Sequence, residues 1–138
     1  MAKKNKNTAA VVVSSYSPIL SVTTDSDSNN VSWIFGAVPP NNIIKWSMLN
    51  RRYTNPSGQT LTYLGSDWQI VKSVLQESWY NSGQAYVTSY DETALVPFDP
   101  IDLPTGTYEY QLRGSYGQIG NSLNDKPYIS NIVTVIVS

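Results

Sequence analysis

A chain of 138 residues fits one domain, since domains cluster at roughly 100 to 150 residues. Apolar residues make up 41% of it and charged residues only 14%, against an average charged share of about 25%, so the surface is polar through Ser, Thr, Asn, Gln and Tyr. Nine basic against ten acidic residues leave a net charge of -1, which argues against a specific nucleic-acid partner. The absence of cysteine excludes disulfides and thiolate metal sites, and the absence of histidine removes the commonest general base and metal ligand.

Three of the basic residues, Lys3, Lys4 and Lys6, crowd the first six positions. Residues 1–10 read as a basic, flexible arm and 11–138 as a single β domain. The arm is a candidate contact for phosphate or an acidic partner, beside its plainer role as a solubilising terminus. The apolar run Ala9 to Val13 is shorter than the roughly 7 to 15 residues of a signal-peptide core, and nothing later approaches the ~18 apolar residues of a membrane span. The expectation is a protein made and folded in the cytoplasm.

Apolar residues then recur at period two in short runs bounded by Gly, Pro, Asn, Asp and Ser, the pattern of a many-stranded protein. It predicts strands over 9–15, 19–24, 30–35, 43–51, 60–64, 69–74, 85–90, 107–114 and 128–137. Asp25 to Asn30 reads as a hairpin connection and Asn55 to Gly58 as a tight turn. Val31, Trp33 and Phe35 share one face of their strand. Ile44, Trp46 and Met48 share one face of the next, with Ile43 and Leu49 out of phase. Trp68, Val71, Leu75 and Trp79 have helical spacing, but β-branched Ile70, Val71 and Val74 favour strand. Both faces of Ile132 to Val137 are apolar, which predicts cover on both sides or pairing with another chain.

Asp25, Asp27 and Asn29 alternate like the first ligands of a calcium loop, but the sixth position is Asn30 and the twelfth Gly36 where that loop needs Gly and Glu. A solvated turn is expected, and no metal or cofactor. Asp91, Glu92, Asp99 and Asp102 are the carboxylates from which a hydrolytic pair would be drawn, yet nothing fixes their separation, and no histidine is present to activate a serine. No catalytic residue is assigned, and an enzyme is not expected. Ser78 to Tyr86 is composed like an antibody paratope, rigid rings among small polar residues, which makes Trp79, Tyr80 and Tyr86 candidate binding residues, with a core role for Trp79 as the plainer reading. Tyr116, among Gly114, Gly117 and Gly120, is a second candidate, expected in the loop before the last strand. Arg51 and Arg52 form the internal basic pair, able to grip a carboxylate or phosphate but expected at a solvated strand end.

The stretch Ile101 to Arg113 contains Leu103, Pro104, Gly106 and Tyr108 in the order of a tyrosine corner. In this it resembles immunoglobulin-like and fibronectin-III-like domains, where a tyrosine opens a strand with its hydroxyl bonded back to the preceding corner. The resemblance implies an all-β antiparallel β-sandwich with an inner-strand tryptophan, Trp33 or Trp46. It departs from antibody domains in lacking a cysteine pair, and the long segment from Gly65 to Pro100 implies an extra hairpin or helix. A jelly roll is the alternative architecture. Small immunoglobulin-like domains resembling this one occur in bacteriophage particles as capsid decoration, tail or fibre parts. The resemblance, with the cytoplasmic origin, implies a non-enzymatic virion component tied to other capsid proteins through Met1 to Ala10 and able to attach to host-surface glycans. A carbohydrate-binding or adhesion module and a jelly-roll capsid protein are the other readings. Homo-oligomers would bury the outer face of the last strand.

Overall fold

A computed structural model describes residues 17–25, 27–36, 41–75 and 86–138. The chain is an all-β sandwich of two antiparallel sheets, with no helix among the described residues. The strands are β1 (Ile19–Thr24), β2 (Asn29–Phe35), β3 (Asn42–Thr54), β4 (Gln69–Leu75), β5 (Tyr86–Glu92), β6 (Gly106–Gln118), β7 (Lys126–Ile129) and β8 (Val133–Val137). The smaller sheet runs β1-β2-β5. The larger runs β4-β3-β6-β7, with β8 also paired to β6. Among the described residues this order, first, second and fifth strands against fourth, third, sixth and last, is similar to immunoglobulin and fibronectin-III sandwiches.

Alternation drives the packing. Val31, Trp33 and Phe35 on β2 are all buried and face Leu49, Tyr53, Tyr108, Tyr110 and Leu112 of the larger sheet in one core. At about 25 cal/mol per Å² of apolar surface removed from water, such rows supply most of the stabilisation. Trp33 fills the inner-strand position at 1% exposure, while Trp46 is only half-buried.

Three expectations about strands are overturned. The pairing of β3 with β6 shifts register between Ile44 and Trp46. This β-bulge adds a residue and moves every later side chain to the opposite face. Ser47, Leu49, Arg51 and Tyr53 therefore point inward, and Trp46 and Met48 do not share the buried face of Ile44. Residues 60–64 form no strand. They hold only isolated bridges, Thr54 to Thr60 and Tyr63 to Ser66. The final run is divided at Ser130, whose hydroxyl accepts from the Leu112 N–H at 2.8 Å and donates to the Asn131 carbonyl at 2.7 Å. Asn131 in turn accepts the Leu20 N–H at 2.9 Å and donates to the Leu20 carbonyl at 3.2 Å. Val133, Val135 and Val137 pack against the core, while Ile136 stays 66% exposed in the single chain.

The corner between 103 and 108 holds two rings. Tyr108 donates to the Pro104 carbonyl at 2.5 Å and Tyr53 to the Thr105 carbonyl at 2.5 Å, with the ring centres 4.9 Å apart. Burial raises the pKa of both hydroxyls, so they stay protonated donors. Gly106 has φ +147, and a Cβ there would lie 2.5 Å from the Tyr53 ring, so only glycine fits.

Candidate functional site

Arg51 and Arg52 do not end in solvent. Both grip carboxylates of this chain, from opposite faces of β3. Inward, Arg51 is fully buried against Glu92, with Nη2 at 2.9 Å from Oε2. Its Nη1 donates to Gln69 Oε1 at 3.0 Å, and its Nη2 also donates to the Val96 carbonyl. Tyr110 donates to Glu92 Oε1 at 2.5 Å and accepts from Asn29 Nδ2 at 2.9 Å. Outward, Arg52 makes two hydrogen bonds to Glu109, at 2.8 and 2.9 Å, and stacks 4.6 Å over the Trp68 ring. The guanidinium beside Glu109 holds that carboxyl below its ordinary range, and the carboxylate raises Arg52 in return.

Next to Arg52 and Trp68, the outer face of the larger sheet carries a cleft of about 680 Å³, within the roughly 300–1,000 Å³ of small-molecule sites. Its floor is set by strand register: Asn50 lies opposite Gln111 on β6 and Ile70 on β4, and Met48 lies opposite Arg113. Directly opposed side chains on one face start about 5 Å apart, which brings two amides and a guanidinium together. Arg113 is exposed, with no hydrogen-bond or ion-pair partner among the described residues. Its cross-strand neighbours Met48 and Ile129 are uncharged, and Glu109, four residues back, is committed to Arg52.

The rim is a two-residue turn. The Tyr63 N–H donates to the Ser66 carbonyl at 3.0 Å and the Ser66 N–H to the Tyr63 carbonyl at 3.1 Å, with Leu64 at φ 52 and Gly65 at φ 78. Positive φ at both central residues is the hairpin turn that favours Asn-Gly. Leu64 breaks that preference and is 88% exposed. The turn is anchored by Ser66, whose hydroxyl accepts the Trp68 N–H at 3.1 Å and whose carbonyl accepts Gln69 Nε2 at 3.0 Å. Gln69 thus ties the rim to the buried Arg51–Glu92 pair.

Lys3, Lys4, Lys6, Trp79 and Tyr80 are outside the described residues, and Tyr86 opens β5 opposite Phe35. Tyr116 is not in a loop: it sits in β6 opposite Ile44, in the core at 7% exposure, because β6 continues to Gln118 through Gly114 and Gly117. Asp25 accepts the backbone N–H groups of Asp27 and Ser28, both at 2.9 Å, which lowers its pKa and makes the suspected calcium loop a turn. Among the described residues no cluster of three metal-ligating side chains occurs, and no helix is long and apolar enough to cross a membrane. Asp91 accepts from Asn30, while Asp99 and Asp102 accept the N–H groups of Ile101 and Leu103. None of these carboxylates lines the cleft.

Asn50, Gln111, Arg113 and Trp68 do not stand out as a site in the sequence because only the register of three strands and a turn assembles them. Leu64 before Gly65 was the available signal, an apolar residue where turn chemistry calls for Asn or Asp. No family model matches the chain, and no curated protein or solved structure matches it.

Proposed function

We propose that this protein is a non-enzymatic binding module, displayed in many copies on a larger assembly, and that the assembly is a bacteriophage particle on which it serves as a capsid decoration, auxiliary capsid, or tail or fibre part. The observation that carries the reading is the cleft: concave and, among the described residues, lined by amides, rings, aliphatic side chains and the exposed Arg113 guanidinium, with no carboxylate in its wall. Such a lining recognises a ligand and offers no acid–base pair to transform it. The weakly charged, hydroxyl- and amide-rich composition suits macromolecular contact, and the basic stretch Lys3 to Lys6 is the element assigned to docking. A single weak site becomes effective when many copies act together.

The test is sedimentation of the full chain, and of a version lacking Met1 to Ala10, with particles that lack this protein. Co-sedimentation that requires the arm is the expected result. A chain that stays free in both forms removes the particle and leaves the second reading, a free carbohydrate-binding or adhesion module, which the Trp68 ring beside Asn50 and Gln111 favours.

A further inference from the structure

We infer that the cleft on the outer sheet face binds a carboxylated sugar unit of a surface glycan, with Arg113 as the anion-binding residue. The inference rests on the binding-module reading above and names the ligand class of that site. Three features point to it. The first is charge. Among the described residues Arg113 is not compensated by a carboxylate, because Glu109 is held by Arg52 and the cross-strand neighbours of Arg113 are Met48 and Ile129. A planar guanidinium matches a carboxylate through two parallel hydrogen bonds.

The second is the split between floor and rim. Asn50 and Gln111 lie side by side, and although one N–H of each is given to the Met48 and Ser130 carbonyls at 3.4 and 3.3 Å, each amide keeps a second N–H to donate and an oxygen to accept, while Leu64 and Trp68 offer apolar surface. A pyranose has that division, hydroxyls on its edge and C–H groups on its face. An acidic peptide would use the guanidinium but leave the adjacent amides without a hydroxyl row. The third is strain. Leu64 occupies a left-handed backbone that disfavours it and exposes almost its whole side chain to water. A residue in such a conformation that packs on nothing is explained by a ligand that packs on it.

The experiment is calorimetric titration of the full chain with four probes: an oligogalacturonate, an α-linked oligomer of N-acetylneuraminic acid, a neutral oligogalactose and a poly-glutamate peptide. Saturable binding of one acidic saccharide is expected, with the neutral sugar and the peptide each weaker by about tenfold or more. Arg113→Ala should abolish the preference for the acidic sugar, and Arg113→Lys should retain only part of it, since a point charge replaces a fork. Leu64→Asn should weaken binding severalfold without loss of folding. Absence of binding to both acidic sugars, equal affinity for the neutral one, a tighter complex with the peptide, or indifference to Arg113→Ala each overturns the inference. Particle docking is assigned to the arm, so Arg113→Ala should leave co-sedimentation unchanged, and failure of the one reading is distinguishable from failure of the other.

Discussion

Tyr110 on β6 donates its hydroxyl hydrogen to Glu92 on β5 at 2.5 Å, joining the two sheets through the middle of the core. The same carboxylate faces Arg51, so a charged pair and a phenol sit where sandwiches ordinarily place hydrocarbon. Burial, and then the neighbouring Glu92 charge, push the Tyr110 pKa far above its ordinary value, which keeps it a donor. A buried pair of this kind is costly to break and inexpensive to replace. Glu92→Gln or Arg51→Met alone should destabilise the fold by about 3–5 kcal/mol. The double change of Arg51→Met with Glu92→Leu should recover most of that loss. Urea unfolding of the four chains measures both, and a double variant as weak as the singles would show that the pair itself stabilises.

Tyr108→Phe removes the hydrogen bond to the Pro104 carbonyl and keeps the ring. The expected cost is about 1 kcal/mol, read as a lower urea midpoint with an unchanged slope. Gly106→Ala should be worse, because both the backbone angle and the Tyr53 ring oppose a side chain there.

Tyr108, Tyr110 and Tyr128 are buried and their pKa values are raised by that burial from an ordinary value near 10. Above pH 10 the unfolded chain releases these protons and the folded chain does not, so the folded state binds more protons and its stability falls as pH rises. Absorbance at the tyrosinate band should show the exposed tyrosines titrating first. The buried three should appear only together with loss of the near-ultraviolet circular dichroism.

At the acid end the sign reverses. Glu109 is depressed from its ordinary 4.5 by its hydrogen bonds to Arg52, so its contribution is complete above that value and disappears as pH falls through the depressed one. Glu109→Gln should flatten the acid limb of stability against pH relative to the parent chain.

Leu64→Asn should stabilise the free protein by about 1 kcal/mol, since Asn tolerates the left-handed backbone that costs Leu roughly 1–2 kcal/mol. Thermal melts test it. A fall in melting temperature would show that the leucine side chain supports the turn.

Much of the architecture was legible because alternation and turn residues act locally. β1 follows from Ile19 to Thr24 alone, and the Leu103-to-Tyr108 corner needs only six residues of chain. The bulge at Ile44 to Trp46 was not legible, because Ile43 and Ile44 are both apolar and either phase of β3 buries hydrophobic groups. Choosing the observed phase requires knowing that Glu92, distant in sequence, waits to neutralise Arg51. The cleft was hidden for the same reason, since Asn50, Gln111 and Arg113 become neighbours only once register is known.

Asn131 takes both main-chain groups of Leu20 with its side-chain amide, occupying hydrogen-bonding positions that an incoming strand would need. Open strand edges invite other chains to extend a sheet, and proteins protect them in several ways. Here a single amide acts as a stopper on β1. A second chain is thereby hindered from extending the smaller sheet at Leu20, and the edge stays closed to the pairing that its exposed main chain would otherwise invite.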